Sequence, residues 1–366
     1  MDADGIIRVL IFIFGALLVL LALSSAIRSF VLPRSDNVFL TRMVFINVNR
    51  LLQLRVRRVK TYAQKDQIMA FFAPVTLLIL PAVWLLSVLI GYTCMFWALG
   101  VGDGTAFAAF NISGSSLLTL GFATVDGWLQ TILVFSEATI GLGLVALLIS
   151  YLPTMYAAFS KRETAVTMLE VVAGSPPWAI TMIERLHRIH GIEQASDIWP
   201  RWEVWFVEVG ESHTSLSPLI FFRSPHADKS WVTSAGAVLD AAALFTSTLD
   251  VPRDARTSLC LRAGYLTLQQ IADFFELDYA QDLEPDDPDH TKRISITREE
   301  YDDACDRLAE QGIPLKPDRN QSWEDFAGWR VNYDAILLSL CRITMAPQAP
   351  WSSDRANTKA PVPTNQ

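Results

Sequence analysis

Residues 105–127 read TAFAAFNISGSSLLTLGFATVDG, and how this stretch meets a membrane decides the fold. It has no charge before Asp126, and it is long enough to cross a hydrocarbon core, which takes about 20 apolar residues as a helix. Yet Asn111, Ser113, Gly114, Ser115, Ser116, Thr119, Gly121 and Thr124 make it more polar and flexible than a lipid-facing helix. Plainer apolar runs surround it: 9–27 and 67–102 carry no charge, and 129–160 carries Glu137 alone. These runs account for a composition of 51% hydrophobic and 19% charged residues, which would leave a soluble protein short of polar surface.

Charge placement orients the runs. Between the first and second lie Arg28, Arg34, Arg42, Arg50, Arg55, Arg57, Arg58, Lys60 and Lys65 against Asp36 and Asp66, so this connection is expected on the cytoplasmic side. The N-terminus, with Asp2 and Asp4, is then expected outside. Its positive charge follows the apolar run, the reverse of a secretory signal, so a retained transmembrane helix is expected. If 105–127 spanned the membrane, Lys161, Arg162 and three of the four cysteines (Cys260, Cys305, Cys341) would lie outside. If it enters and leaves on one face, the basic pair obeys the charge rule and the cysteines sit in a reducing compartment. Re-entry is therefore expected. It implies a pore or cavity, because non-helical backbone at membrane depth survives only buried in protein or lining water.

The segment divides into parts: 105–118 can form a helix of about three turns, followed by Thr119-Leu120-Gly121-Phe122-Ala123 and then Thr124-Val125-Asp126-Gly127. This resembles the pore loop of two-transmembrane potassium channels, whose selectivity filter is Thr-Val-Gly-Tyr-Gly. The following run, Ser136-Glu137-Ala138-Thr139-Ile140-Gly141-Leu142-Gly143-Leu144, resembles the family's inner helix, in which Glu-Ala-x-x-Gly-Leu is common. The resemblance covers about 68–152. It implies an all-α membrane protein with three transmembrane helices and a re-entrant pore loop. Four copies would present rings of backbone carbonyls that replace the water around potassium.

The resemblance also assigns roles. Thr119, Leu120, Gly121, Phe122 and Ala123 would form the filter, with Gly121 free to take the backbone conformation that aims a carbonyl at the axis. Ala123 stands where the family has glycine. A positive φ there would cost on the order of 1 kcal/mol, which leaves a nonselective cation channel open. Asp103 and Asp126 would concentrate cations at the outer mouth or be plain loop residues. Glu137, ionisable within a spanning helix, would bond the back of the pore loop at a serine of 113–116. Gly141 and Gly143 would let the inner helix bend or let helices pack closely, and Pro153 is expected to end or kink that helix.

The remainder differs in character. Residues 1–159 carry a net +3 and residues 160–366 a net −11, an acidic balance that argues against nucleic-acid binding. The soluble half reads as helical. Capping-box spacing marks Ser160 to Glu163 and Thr297 to Glu300, Pro176-Pro177 opens a helix closed by Gly191, and another helix is expected over 322–344. Trp199, Trp202, Trp205 and Phe206 share one face and read as core. Glu184, His187 and His190 drift round a helix and make a poor metal set. The acidic run 282–289 lacks the glycine and spacing of a calcium loop. No phosphate loop or dinucleotide fingerprint is present, and neither an enzyme nor a cofactor beyond permeant potassium is expected. The expected organisation is a transmembrane helix (1–31), a basic linker (32–66), a pore domain (67–155), a cytoplasmic domain (156–345) open to an unidentified ligand or protein, and a disordered tail (346–366). A non-conducting, membrane-anchored sensor or scaffold is the alternative from another class.

Overall fold

The computed structural model describes residues 3–30, 39–192, 197–277 and 290–356. Among these the fold is all α, and the only bridge between extended residues joins Leu249 and Leu315. The chain divides into two units: Met1–Val59 with Ile68–Ala157, and Lys60–Gln67 with Ala158–Gln366.

The first unit contains α1 (Ala3–Phe30), α2 (Phe39–Val56), α4 (Phe72–Ala98), α5 (Ala106–Leu117) and the first part of α6 (Trp128–Ala173); α3 (Tyr62–Ala70) leads into α4. Three stretches, α1, α3–α4 and α6, are long and apolar enough to cross a membrane, which makes this a membrane protein. Leu10, Phe14, Leu17, Leu20 and Leu21 leave one side of α1 exposed and apolar, a surface suited to lipid rather than water.

Small residues set how closely α1 and α4 approach. A Cβ on Gly15 would lie 2.4 Å from the Gly91 carbonyl, and one on Gly91 would lie 2.6 Å from Val19. The two backbones meet because neither residue has a side chain, the usual device where lipid removes the hydrophobic drive for helix association. The helices run antiparallel: Arg8 covers the Trp97 ring at 5.6 Å, and Ser25 accepts from the Trp84 indole at 2.9 Å. Tyr151 of α6 stacks on Phe30 of α1 with ring centroids 4.0 Å apart.

Helix α6 continues through Pro153, so the helix does not end there. Proline removes a single N–H, and buried Tyr151 and Met155 anchor the turns on either side. The same continuity places Ser160 and Glu163 inside α6, so they do not form a helix start; Glu163 instead pairs with Arg162.

The second unit is built around α9 (Trp231–Ser247), nearly all of whose residues are buried. Around it pack the end of α6, α7 (Ala179–His190), α8 (Trp199–Ser215), α10 (Ala255–Phe274), α12 (Arg319–Arg330) and α13 (Asp334–Thr344), with α11 (Arg298–Glu310) on α7. A helix surrounded on every side must be largely apolar on every side, and the alanine-rich sequence of α9 meets that demand, its Thr and Ser hydroxyls aside, with one charged exception. Asp240 is buried in its middle. Arg330, itself fully buried, pairs with Asp240 and with Asp334, and the Tyr333 hydroxyl donates to Asp240 at 2.8 Å. Burial alone would lower the Arg330 pKa, but Asp240 and Asp334 outweigh it and hold the guanidinium charged.

This network corrects two expectations. The single helix over 322–344 is two, α12 and α13, because Asn332 caps the Gly328 and Trp329 carbonyls at 3.0 Å each while Tyr333 turns inward to Asp240. The segment from Ala346 is packed as far as α14 (Ser353–Ala356): Arg330 donates to the Trp351 carbonyl, and the Trp351 ring is buried against Trp178 and Phe326. The rest of the expected tail, 357–366, and the acidic run 282–289 lie outside the described residues. The Thr297 capping box is present, α7 stops at Gly191 (φ 75°), and Trp199, Trp202, Trp205 and Phe206 are all buried.

In the full chain in detergent, Gly15→Leu is expected to lower stability by about 1–3 kcal/mol, whereas Gly5→Ala, with nothing within 4 Å, leaves thermal unfolding unchanged. His213 is buried between Arg162 and the Val209 carbonyl, to which its Nδ1–H donates. Burial, with the neighbouring Arg162 charge, pushes its pKa well below the usual value. Below about pH 6.5 the unfolded chain therefore binds a proton that the folded chain refuses. Melting temperature is expected to fall from pH 7.5 to 5.5, with a shallower slope in His213→Gln, whose amide oxygen still accepts from Arg162.

Candidate functional site

Helix α5 begins at Thr105, whose Oγ1 accepts from the Ala108 amide at 3.2 Å. Asp103 in turn accepts from the Thr105 hydroxyl at 2.6 Å and amide at 3.0 Å, and these bonds hold its carboxyl below the usual pKa. Asp103 thus stiffens the entry to α5 while staying exposed, and Asp126 is exposed as well. The structure brings neither into contact with the other.

The serines that made 105–127 unusual are buried. Ser113 Oγ lies 3.0 Å from the Leu89 carbonyl of α4 and 2.5 Å from Glu137 Oε1 of α6, so it links α5 to both flanking helices. Glu137 is fully buried, and its Oε2 has no partner among the described residues. Tyr92 and Ser136 add a second link between α4 and α6 at 2.8 Å.

Ser115 organises the backbone that leaves α5. Its carbonyl accepts from the Leu120 amide at 2.8 Å and the Gly121 amide at 3.5 Å, and its Oγ accepts from the Phe122 and Ala123 amides at 3.1 Å each. Four consecutive N–H groups therefore turn back toward α5. Within the described residues no donor reaches the carbonyls of Thr119 to Ala123, and residues 118–122 are exposed.

The backbone reversal needs left-handed residues, supplied by Gly121 (φ 72°) and Thr119 (φ 55°). Ala123 does not take a positive φ, which corrects the expectation of strain there: the strained residue is Thr119, at a cost of about 1–2 kcal/mol. Leu120 and Phe122 line an apolar groove of about 360 Å³ with Leu86, Leu89, Phe110 and Leu118.

Gly141 and Gly143 separate in role. A Cβ on Gly141 would lie 2.3 Å from the Leu117 carbonyl at the end of α5, whereas nothing lies within 4 Å of Gly143. Gly141 seats the end of α5 against α6, and the helix runs unbroken through both glycines.

In the second unit, Glu184 is engaged by Arg307 at 2.6 and 2.8 Å, and the described residues hold no cluster of His, Cys, Asp or Glu suited to a metal. Two features are not evident in the sequence, the convergence of amides on Ser115 and the approach of Gly141 to Leu117. Their one signal is the polar run 113–116 inside an apolar segment.

No known family model matches the chain, and no curated protein or solved structure matches it.

Gly141→Ala is expected to destabilise the first unit by about 1–3 kcal/mol, because α6 must retreat from a backbone carbonyl. Gly143→Ala is expected to be neutral or to stabilise by about 0.5–1 kcal/mol through helix propensity. Thermal unfolding in detergent separates the two.

Proposed function

We propose that four copies of this chain surround an axis and form a cation-conducting pore, with potassium as the permeant ion. The observation that carries the reading is the bonding at Ser115. It satisfies the amides of residues 120–123 from behind and leaves a row of carbonyls without donors, the ligand type that can replace water around a monovalent cation. Leu120 and Phe122 meanwhile turn to an apolar groove.

In this reading residues 105–127 re-enter the membrane between the outer helix α4 and the inner helix α6. Irregular backbone is tolerated there because protein and a water-filled axis surround it. Asp103 and Asp126 raise the local cation concentration at the outer mouth. Glu137 works through Ser113 as a positioning residue that fixes the height of α5. The basic stretch before α4 supports a cytoplasmic position for the second unit and an outside position for the start of α1. The chain acts by conduction rather than catalysis. Ala123, where the related filters have a second glycine, favours one further reading, a nonselective cation pore.

Purified protein in liposomes tests this through potassium flux, with sodium and a Gly121→Ala variant in parallel. The expected result is a tetramer that passes potassium well above sodium and loses the flux in the variant. Equal passage of both ions supports the nonselective pore. A monomer without flux would overturn the proposal in favour of a membrane-anchored sensor acting through its soluble unit.

A further inference from the structure

One short segment of the second unit, residues 217–224, holds two distant parts of the chain at once. Its first grip is on α6. Arg162, buried within the unit, donates to the Leu219 carbonyl at 2.9 Å and to the Phe222 carbonyl at 2.7 Å, and the Phe159 and Phe222 rings pack at 5.6 Å. A little further along, Lys229 reaches Glu170, also on α6, at 2.5 Å. The second grip is on residues 60–67. Arg223, next in sequence to Phe222, forms an ion pair with Asp66 in which both side chains are about nine-tenths buried. The same guanidinium donates to the Thr344 carbonyl at 2.6 Å and the Met345 carbonyl at 3.2 Å, and the Tyr62 hydroxyl donates to Met345 at 3.0 Å. Every residue named here belongs to the second unit.

The positions of these grips along the chain give them meaning. Residues 60–67 lead directly into α4, and Arg162 lies on the continuation of α6. Adjacent residues, Phe222 and Arg223, therefore hold the lead into one spanning helix and the exit from the other. We propose that segment 217–224 is a coupling clamp through which the soluble unit sets the conducting state of the pore; this rests on the channel reading above. A part-buried ion pair suits such a role better than apolar packing would. It is directional, and removing one partner leaves a charge in a poorly solvated place, so the contact tends to be made or broken as a whole. Arg162 lacks that freedom: His213 and Glu163 also hold it at 3.2 and 2.9 Å, so the α6 grip is the fixed jaw. The Asp66–Arg223 grip is the releasable one.

The test uses the full chain. Arg223→Ala and Asp66→Asn are each compared with wild type and with the exchanged pair Asp66→Arg/Arg223→Asp, by flux in liposomes and by hydrogen exchange in detergent. Exchange at residues 60–67 is expected to rise about tenfold or more in either single variant, while α9 stays protected, which shows that the unit remains folded. Flux is expected to shift in the same direction in both single variants and to return toward wild type in the exchanged pair. Wild-type flux that neither single variant alters would overturn the coupling and leave the channel standing. Unchanged exchange at 60–67 would overturn the clamp itself. Absence of flux from the wild-type tetramer and from both single variants would overturn the channel reading and reduce the clamp to a fastener.

Discussion

Four backbone amides in a row, Leu120 to Ala123, find their acceptors on one residue, Ser115. A backbone N–H that leaves a helix costs free energy wherever neither water nor a protein acceptor meets it, and these four are met from within the same segment. Much of the first unit can be understood as keeping Ser115 where those amides need it. Thr105 and Asp103 fix the start of α5, Ser113 ties its middle to α4 and α6, and Gly141 lets α6 come up against its last turn. The loop then has little freedom, and that accounts for a non-glycine residue, Thr119, held at positive φ.

The second unit meets a related demand by different means. Its central helix is surrounded, so a lone carboxylate on it would be intolerable. Asp240 is accommodated because Arg330 and Tyr333 meet it, while Asp334 shares the same guanidinium and also accepts from Ser295. Buried ion networks of this kind add little net stability over an apolar core, but losing one member is costly. They make the unit sensitive to any change that separates α9, α12 and α13.

Legibility in the sequence tracked the range of the forces involved. The capping box at Thr297 could be read directly, as could the glycine stop at Gly191 and the three long apolar stretches, whereas the same spacing at Ser160 was overridden by the continuity of α6. Features that depend on distant partners could not. Pro153 reads as a break until Tyr151 and Met155 are known to be anchored. The Asn332–Tyr333 interruption arises from a carboxylate 93 positions away, and Pro347 to Ser353 look like tail composition until Trp351 is placed among Trp178, Phe326 and Arg330. At the candidate site the source of backbone strain was misplaced. Ala123 departs from the filter motif, but the strain falls on Thr119, whose conformation is set by the bonds of the residues after it.

The contact between Arg330 and the Trp351 carbonyl bears on how the protein is made. Synthesis proceeds from the N-terminus, and domains tend to fold as they emerge. The apolar stretches would leave the ribosome early, yet the guanidinium at the centre of the second unit's core lacks one of its acceptors until residue 351 is free. Completion of that core therefore waits for residue 351, long after the apolar stretches have been made. Copies that stop before residue 351 would carry an incompletely bonded charge in their interior, which is the kind of defect that quality-control machinery detects.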